Sequence, residues 1–222
     1  MVIDKNVLWD LDGTIVRSED VDFKFAMFEY ASNKIGLKFK LSQEDYIGKE
    51  AQFVFKKTLI TNKSIDVAKY ELEYNKWYEL SVNYILNNID FIKERDNVVE
   101  VWKDLDNVGI KNSVVTSSRE DIAKAYLSKI GLLGFCNSLV SVNHVSNPKP
   151  SPEPYLLCVK NLNTSVINCV TVEDSITGIQ SSVNACIKTI AWVDDVDKFN
   201  NTGASVVTTK INTDLILGLF NS

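Results

Sequence analysis

Short apolar, β-branched runs recur along this chain, and helical patterns fill most of the gaps between them. The runs are Val7–Trp9, Ser113–Val115, Leu139–Val142, Val166–Val172, Thr189–Val193 and a weaker Val206–Thr208. Helical spacing covers about 97–108, 119–130, 152–161, 176–185 and 212–220. Gly109, Gly131 and Gly134 stand where helices are expected to stop. Strand–helix alternation of this kind predicts an α/β fold with a doubly wound, mostly parallel sheet. Ligands of such sheets bind beyond the carboxyl ends of the strands, so strand ends are the places to search for chemistry.

Residues 17–94 break the alternation. They read as helix throughout, including Ser18–Ile35 and the long run Ser64–Asn88. The pattern predicts an all-helical unit, 17–94, inserted in a core built from 1–16 and 95–222. A length of 222 residues fits one core with a smaller insert. Tyr70, Tyr74, Trp77, Ser81, Tyr84 and Ile85 recur at steps of three and four, the packing face of an amphipathic helix.

Composition narrows the function classes. The net charge is −5, from 29 acidic and 24 basic residues, and no dense Lys/Arg stripe marks a nucleic-acid footprint. No segment approaches the roughly 20 apolar residues that span a bilayer, and the first residues lack a secretory pattern. The four cysteines, Cys136, Cys158, Cys169 and Cys186, form no CxxC pair and lie in or beside apolar sequence, as reduced, buried thiols would. These features predict a cytoplasmic protein with no membrane or nucleic-acid partner, and no obligate protein partner is evident. His144 is the one histidine, so any His-dependent triad rests on it alone; a surface or packing role is the simpler expectation.

Four stretches carry chemistry. The first is Asp10-Leu11-Asp12-Gly13-Thr14, directly after Val7-Leu8-Trp9. A buried strand delivers two carboxylates, two residues apart, to a Gly-Thr turn. Alternation along extended chain points them the same way. Like charges that close need a neutralising partner, and hard oxygen ligands suit Mg²⁺. The second is Val114-Val115-Thr116-Ser117-Ser118-Arg119, three hydroxyls at a helix start. Ser118 with Asp121 suits a capping box; Thr116 and Ser117 near free N–H groups suit an anion. The third, Asn147-Pro148-Lys149-Pro150-Ser151-Pro152-Glu153-Pro154-Tyr155, is stiff, with Lys149 fixed between prolines and Pro152 suited to the helix start. The fourth is Val172-Glu173-Asp174-Ser175, in which a strand ends in two acids that can converge on a metal, and Ser175 can cap the next helix. Together they supply a nucleophile, a cation site, an anion cradle and an amine, the parts that phosphoryl transfer needs.

These motifs, DxDGT, a strand ending in Thr-Ser, KPxPxxY and EDSxxGI in order, resemble the haloacid dehalogenase-like superfamily. The closest likeness is to its β-phosphoglucomutase and phosphoglycolate phosphatase subfamily, with a small helical cap. The resemblance implies a phosphatase that hydrolyses a small phosphorylated metabolite such as a sugar phosphate. It implies Asp10 as the nucleophile that becomes an aspartyl-phosphate, and Asp12 as the acid and then the base. It implies Thr116, Ser117 and Lys149 around the phosphoryl group. It implies Mg²⁺ held by Asp10, the Asp12 carbonyl and Asp174, with Glu173 a direct or outer partner. A cap domain of this kind closes over substrate and excludes water.

The chain departs from that pattern at Arg17 and Ser18, at Pro148, at Glu153 and at Cys186, where many members have Asp-Ser, Gly, Asp and Gly. A phosphosugar mutase is the alternative reading, and a non-catalytic phospholigand binder is a third. The mutase reading expects a His where Asp22 stands and an Arg where Ala51 follows Tyr46-Ile47-Gly48-Lys49-Glu50. Lys49 lacks the bidentate fork of arginine. Hydrolysis is therefore favoured, and Arg17 and Lys49 are candidates for reading the substrate.

Overall fold

The computed structural model describes residues 4–18, 20–47, 49, 51–63 and 70–221. It divides into two compact units, Met1–Arg17 with Ile92–Ser222, and Ser18–Phe91. Arg17 and residues 92–94, expected in the insert, therefore belong to the first unit.

In chain order the elements begin with β1 (Asn6–Trp9), α1 (Val21–Lys34), α2 (Ala51–Thr61) and α3 (Tyr70–Asn87). They continue with α4 (Val98–Asn107), β2 (Lys111–Val115), α5 (Glu120–Lys129), β3 (Cys136–Val140) and α6 (Glu153–Asn161). The last are β4 (Cys169–Glu173), α7 (Ile176–Asn184), β5 (Lys188–Trp192), β6 (Val206–Thr208) and α8 (Thr213–Asn221).

The strands form one six-stranded sheet in the order β3-β2-β1-β4-β5-β6. Every pairing is parallel. Strand order reverses between β1 and β4, so the crevice past their carboxyl ends is where a doubly wound sheet binds its ligand. Both central strands are buried along their whole length, as parallel strands covered on two faces must be. Trp9 stacks on Trp102 of α4 at 5.8 Å, and its indole N–H donates to Asn112 of β2 at 2.9 Å. The Asn112 amide in turn donates to the Trp102 carbonyl, so this buried polar group stands paired.

Two strands shift against expectation. β3 starts three residues earlier, at Cys136, and the chain turns into a short 3₁₀ helix at Val142–His144. The polar residues Asn137 and Ser138 suit the edge position of this strand, which the apolar count missed. Val166–Asn168 form a 3₁₀ turn before β4, not part of it. Cys186 is exposed rather than buried, and its φ of +59° puts it in the left-handed region just past α7.

The second unit is helical, though not throughout. After α1 ends, Leu37, Phe39 and Leu41 are buried while Lys38, Lys40 and Ser42 are exposed. That period of two marks extended chain, and among the described residues only a 3₁₀ turn, Gln43–Asp45, follows before α2. The expected start of the long helix, residues 64–69, lies outside the described residues. The aromatic stripe of α3 is the packing face, as its spacing predicts. Trp77 is fully buried, stacked on Phe28 at 5.1 Å with an interplanar angle of 7°, and lies 5.2 Å from Phe55. Tyr70, Tyr74, Tyr84 and Ile85 pack around this core.

Candidate active site

The four chemical stretches occupy adjacent strand ends of the first unit. Asp10 follows β1, with its N–H bonded to the Val172 carbonyl of β4 at 2.9 Å. Thr116 follows β2, with its N–H bonded to the Val140 carbonyl of β3 at 2.9 Å. Glu173 closes β4, and Lys149 comes from the loop that leads into α6.

Lys149 is the hub. Its ammonium donates to Asp10 Oδ1 at 2.6 Å, to Glu173 Oε1 at 2.6 Å and to the Val115 carbonyl at 2.8 Å. Its side chain is 3% exposed, against 9% for Asp10 and 0% for Glu173. Burial works against a charged ammonium, but the two carboxylates together outweigh it and hold Lys149 above the ordinary lysine range. The fully buried Tyr155 hydroxyl donates to the same Glu173 oxygen at 2.6 Å, and burial and that carboxylate push the phenol well up. The adjoining Glu153, at the start of α6, accepts from the Ser146 and Asn147 N–H groups at 2.7 and 2.9 Å and fixes the lysine loop.

Asp10, Glu173 and Asp174 each place a carboxylate oxygen within 4.8 Å of the others. Burial first, then Glu173, raises Asp10 well above the usual carboxylate range. The same two causes push Asp174 up to about 7. Three acids around one lysine leave uncompensated negative charge in a buried place. That arrangement fits a hard divalent cation, for which the oxygen donors are the right chemistry. Asp174 is held by the Thr14 hydroxyl at 3.1 Å.

Asp12 stands outside that trio. Its Oδ2 accepts from the Ser118 hydroxyl at 2.6 Å and from Thr116 Oγ1 at 3.3 Å. The capping box expected of Ser118 and Asp121 is therefore absent: Arg119 is the N-cap of α5 and makes no side-chain cap bond. Ser118 turns to Asp12 instead, and its N–H donates to Thr116 Oγ1 at 2.9 Å. Asp121 accepts from the Arg119 guanidinium at 2.7 Å. Ser117 follows Thr116 and is exposed. Ser175 caps α7 as expected, accepting from the Gly178 N–H at 3.1 Å.

Arg17, Lys49 and His144 are the remaining candidates. Arg17 pairs with Asp96 at 2.8 Å, both well exposed. Lys49, in the second unit, is exposed. His144 has a local role: Nδ1 accepts from the Ser141 N–H at 3.0 Å, so Nε2 carries the proton and faces Glu120 at 3.4 Å. The sequence alone does not mark Thr14, Ser118, Tyr155 and Arg95 for roles in the site. The first three lie inside the chemical stretches, but their partners are set by folding. Arg95 carries no local signal at all; it donates to the Gly13 carbonyl at 2.9 Å.

Comparison with known proteins agrees with this geometry. The chain is 25% identical over 176 residues to the fructose-1-phosphate phosphatase YqaB of Escherichia coli, covering 79% of this chain and 89% of that protein. It is 25% identical over 195 residues to the pyrophosphatase PpaX of Listeria innocua, covering 84% and 82%. Its fold is similar to that of CbbY from Rhodobacter sphaeroides, solved in complex with phosphate. There the TM-score is 0.83 at 17% identity, covering 99% of this chain and 100% of that one. Residues 7–192 match the family model of the haloacid dehalogenase-like hydrolases, and the chain belongs to that family.

Proposed function

We propose that this protein is a Mg²⁺-dependent phosphatase that hydrolyses a small phosphorylated metabolite through an aspartyl-phosphate on Asp10. The observation that carries this reading is the bonding of Lys149 to Asp10 and Glu173 beside the carboxylate of Asp174, past the ends of β1 and β4. The relatives named as phosphatases support the substrate class.

In this reading an Asp10 oxygen attacks phosphorus and the bond from phosphorus to the leaving alcohol oxygen breaks. Asp12 gives that oxygen a proton, then takes one from the water that cleaves the acyl phosphate, so inorganic phosphate leaves and Asp10 is restored. The Ser118 and Thr116 hydroxyls hold Asp12 in place for both transfers. Thr116 and Ser117 hold the phosphoryl oxygens, and Lys149 offsets their charge, reaching one of them when its bond to Asp10 is given up as Asp10 attacks. Asp10 and Asp174, with the Asp12 carbonyl, would hold Mg²⁺, which supplies charge neutralisation at the transferring group. Glu173 serves this site by fixing Lys149, because its Oε1 already accepts from Lys149 and Tyr155. Arg17 and Lys49 are proposed to bias substrate choice.

Turnover of p-nitrophenyl phosphate or acetyl phosphate with and without Mg²⁺ tests this. Asp10→Asn is expected to lower kcat by about 1,000-fold or more. Asp12→Asn should abolish turnover or stall it. Activity of wild type no higher than the Asp10→Asn background points to a non-catalytic binder. Build-up of glucose 6-phosphate from β-glucose 1-phosphate and a bisphosphate primer, in place of inorganic phosphate, replaces hydrolysis by phosphate isomerisation.

A further inference from the structure

We infer that Arg95 is a positioning residue for the acid cluster, acting through the main chain of Gly13 and the hydroxyl of Thr14. This rests on the divalent-cation reading above and adds a residue to it. Arg95 lies just after the chain returns to the first unit. Its N–H donates to the Ile15 carbonyl at 2.8 Å, and the Arg17 N–H donates to the Lys93 carbonyl at 2.8 Å. Its buried side chain then runs to the loop that carries Asp10 and Asp12.

One terminal nitrogen of the guanidinium donates to the Gly13 carbonyl at 2.9 Å and to the Trp192 carbonyl at 2.8 Å. The other reaches Asp194 Oδ1 at 3.1 Å, and the guanidinium carbon lies 3.9 Å from the Trp192 ring centroid. Asp194 is fully exposed, so the ion pair contributes little. The two main-chain carbonyls are the consequential partners, because they tie the loop after β1 to the end of β5. A single guanidinium nitrogen, with two protons, makes both bonds, and the indole beside the guanidinium helps to hold it there.

Gly13 transmits the restraint. Its φ is +83°, and a Cβ there would fall 2.0 Å from Asp174 Oδ2, so its backbone packs directly on that carboxylate. The next residue, Thr14, donates to Asp174 Oδ1 at 3.1 Å. A loop displaced by a fraction of an ångström moves both contacts. The spacing of Asp174 from Asp10 and Glu173 therefore depends on Arg95, which touches none of them by a hydrogen bond among the described residues.

Calorimetric titration of the whole protein with Mg²⁺ alone tests this. Arg95→Met is expected to weaken Mg²⁺ binding roughly 10-fold, as loss of an outer partner of a ligand does. Arg95→Lys keeps the charge, loses the reach and the planar group beside the indole, and should fall between it and wild type. It also decides the matter if the methionine variant does not fold. Asp194→Asn should bind within about twofold of wild type, since it leaves both carbonyl bonds. Thr14→Val combined with Arg95→Met should weaken binding by less than the product of the single effects, as two changes on one route do. Wild-type affinity in both Arg95 variants, or full additivity with Thr14→Val, overturns the inference and leaves the phosphatase reading intact. A wild-type protein that binds no Mg²⁺ overturns both.

Discussion

Lys149 commits all three ammonium donors inside the protein, to Asp10, Glu173 and the Val115 carbonyl. Its place near the acids was legible in the motif; its pairing with Glu173 was not. The same oxygen of Glu173 also takes the Tyr155 hydroxyl, so this glutamate has little room to move. Gly178 shows how tightly. An alanine inside a helix normally adds about 1 kcal/mol of stability over glycine. Here its Cβ would fall 2.0 Å from Glu173 Oε1. The buried carboxylate must shift and give up hydrogen bonds worth about 1–3 kcal/mol. Gly178→Ala should therefore lower both the unfolding midpoint and kcat, the reverse of what propensity alone gives. Cys186 poses the opposite case. It is exposed, with a φ of +59° that a side chain adopts at a cost of about 1–2 kcal/mol. Cys186→Gly should raise stability by about 1 kcal/mol in a denaturant titration, with no effect on turnover.

Elements are legible where one periodicity rules and obscured where two compete. β1, α5 and α7 fall within a residue or two of their expected places, because their apolar spacing and their breakers agree. The helical pattern of 17–94 hides the segment after α1, where Leu37, Phe39 and Leu41 alternate with Lys38 and Lys40. Local chemistry favours a cap role for Ser118, yet a carboxylate 106 residues away in sequence claims its hydroxyl. In α3 the spacing of aromatics sufficed. Trp77 is fully buried against Phe28 and Phe55, and its indole N–H donates to Ser32 Oγ at 2.9 Å. Trp77→Ala should cost the second unit about 3–5 kcal/mol through cavity and lost hydrogen bond. Amide exchange within α1 and α3 should accelerate, while exchange in β1 and β4 should stay as in wild type.

At the scale of the molecule, the acid cluster couples stability to pH and to metal. Asp174 is raised to about 7 by burial, then by Glu173. Below the unfolded value near 4 both states carry the proton. Between there and about 7 the folded state keeps a proton that the unfolded chain releases. Metal-free protein should thus lose stability as pH rises through that window, with the loss complete above it. A divalent cation on the same oxygens offsets the charge. The rise in Tm on adding Mg²⁺ should be larger at pH 8 than at pH 5; an equal rise at both would remove Asp174 from the cation set.

The family, the α/β class, a helical insert and the acids and lysine of the proposed site are all legible in the sequence. Strand periodicity, glycine breakers and short motifs are local signals, carried by neighbours along the chain. The identity of each carboxylate's partner was decided only by the tertiary structure. Ser118 serving Asp12, Tyr155 and Lys149 sharing Glu173, and Arg95 reaching Gly13 are contacts between distant stretches. They exist because a parallel sheet gathers strand ends that the chain itself holds far apart.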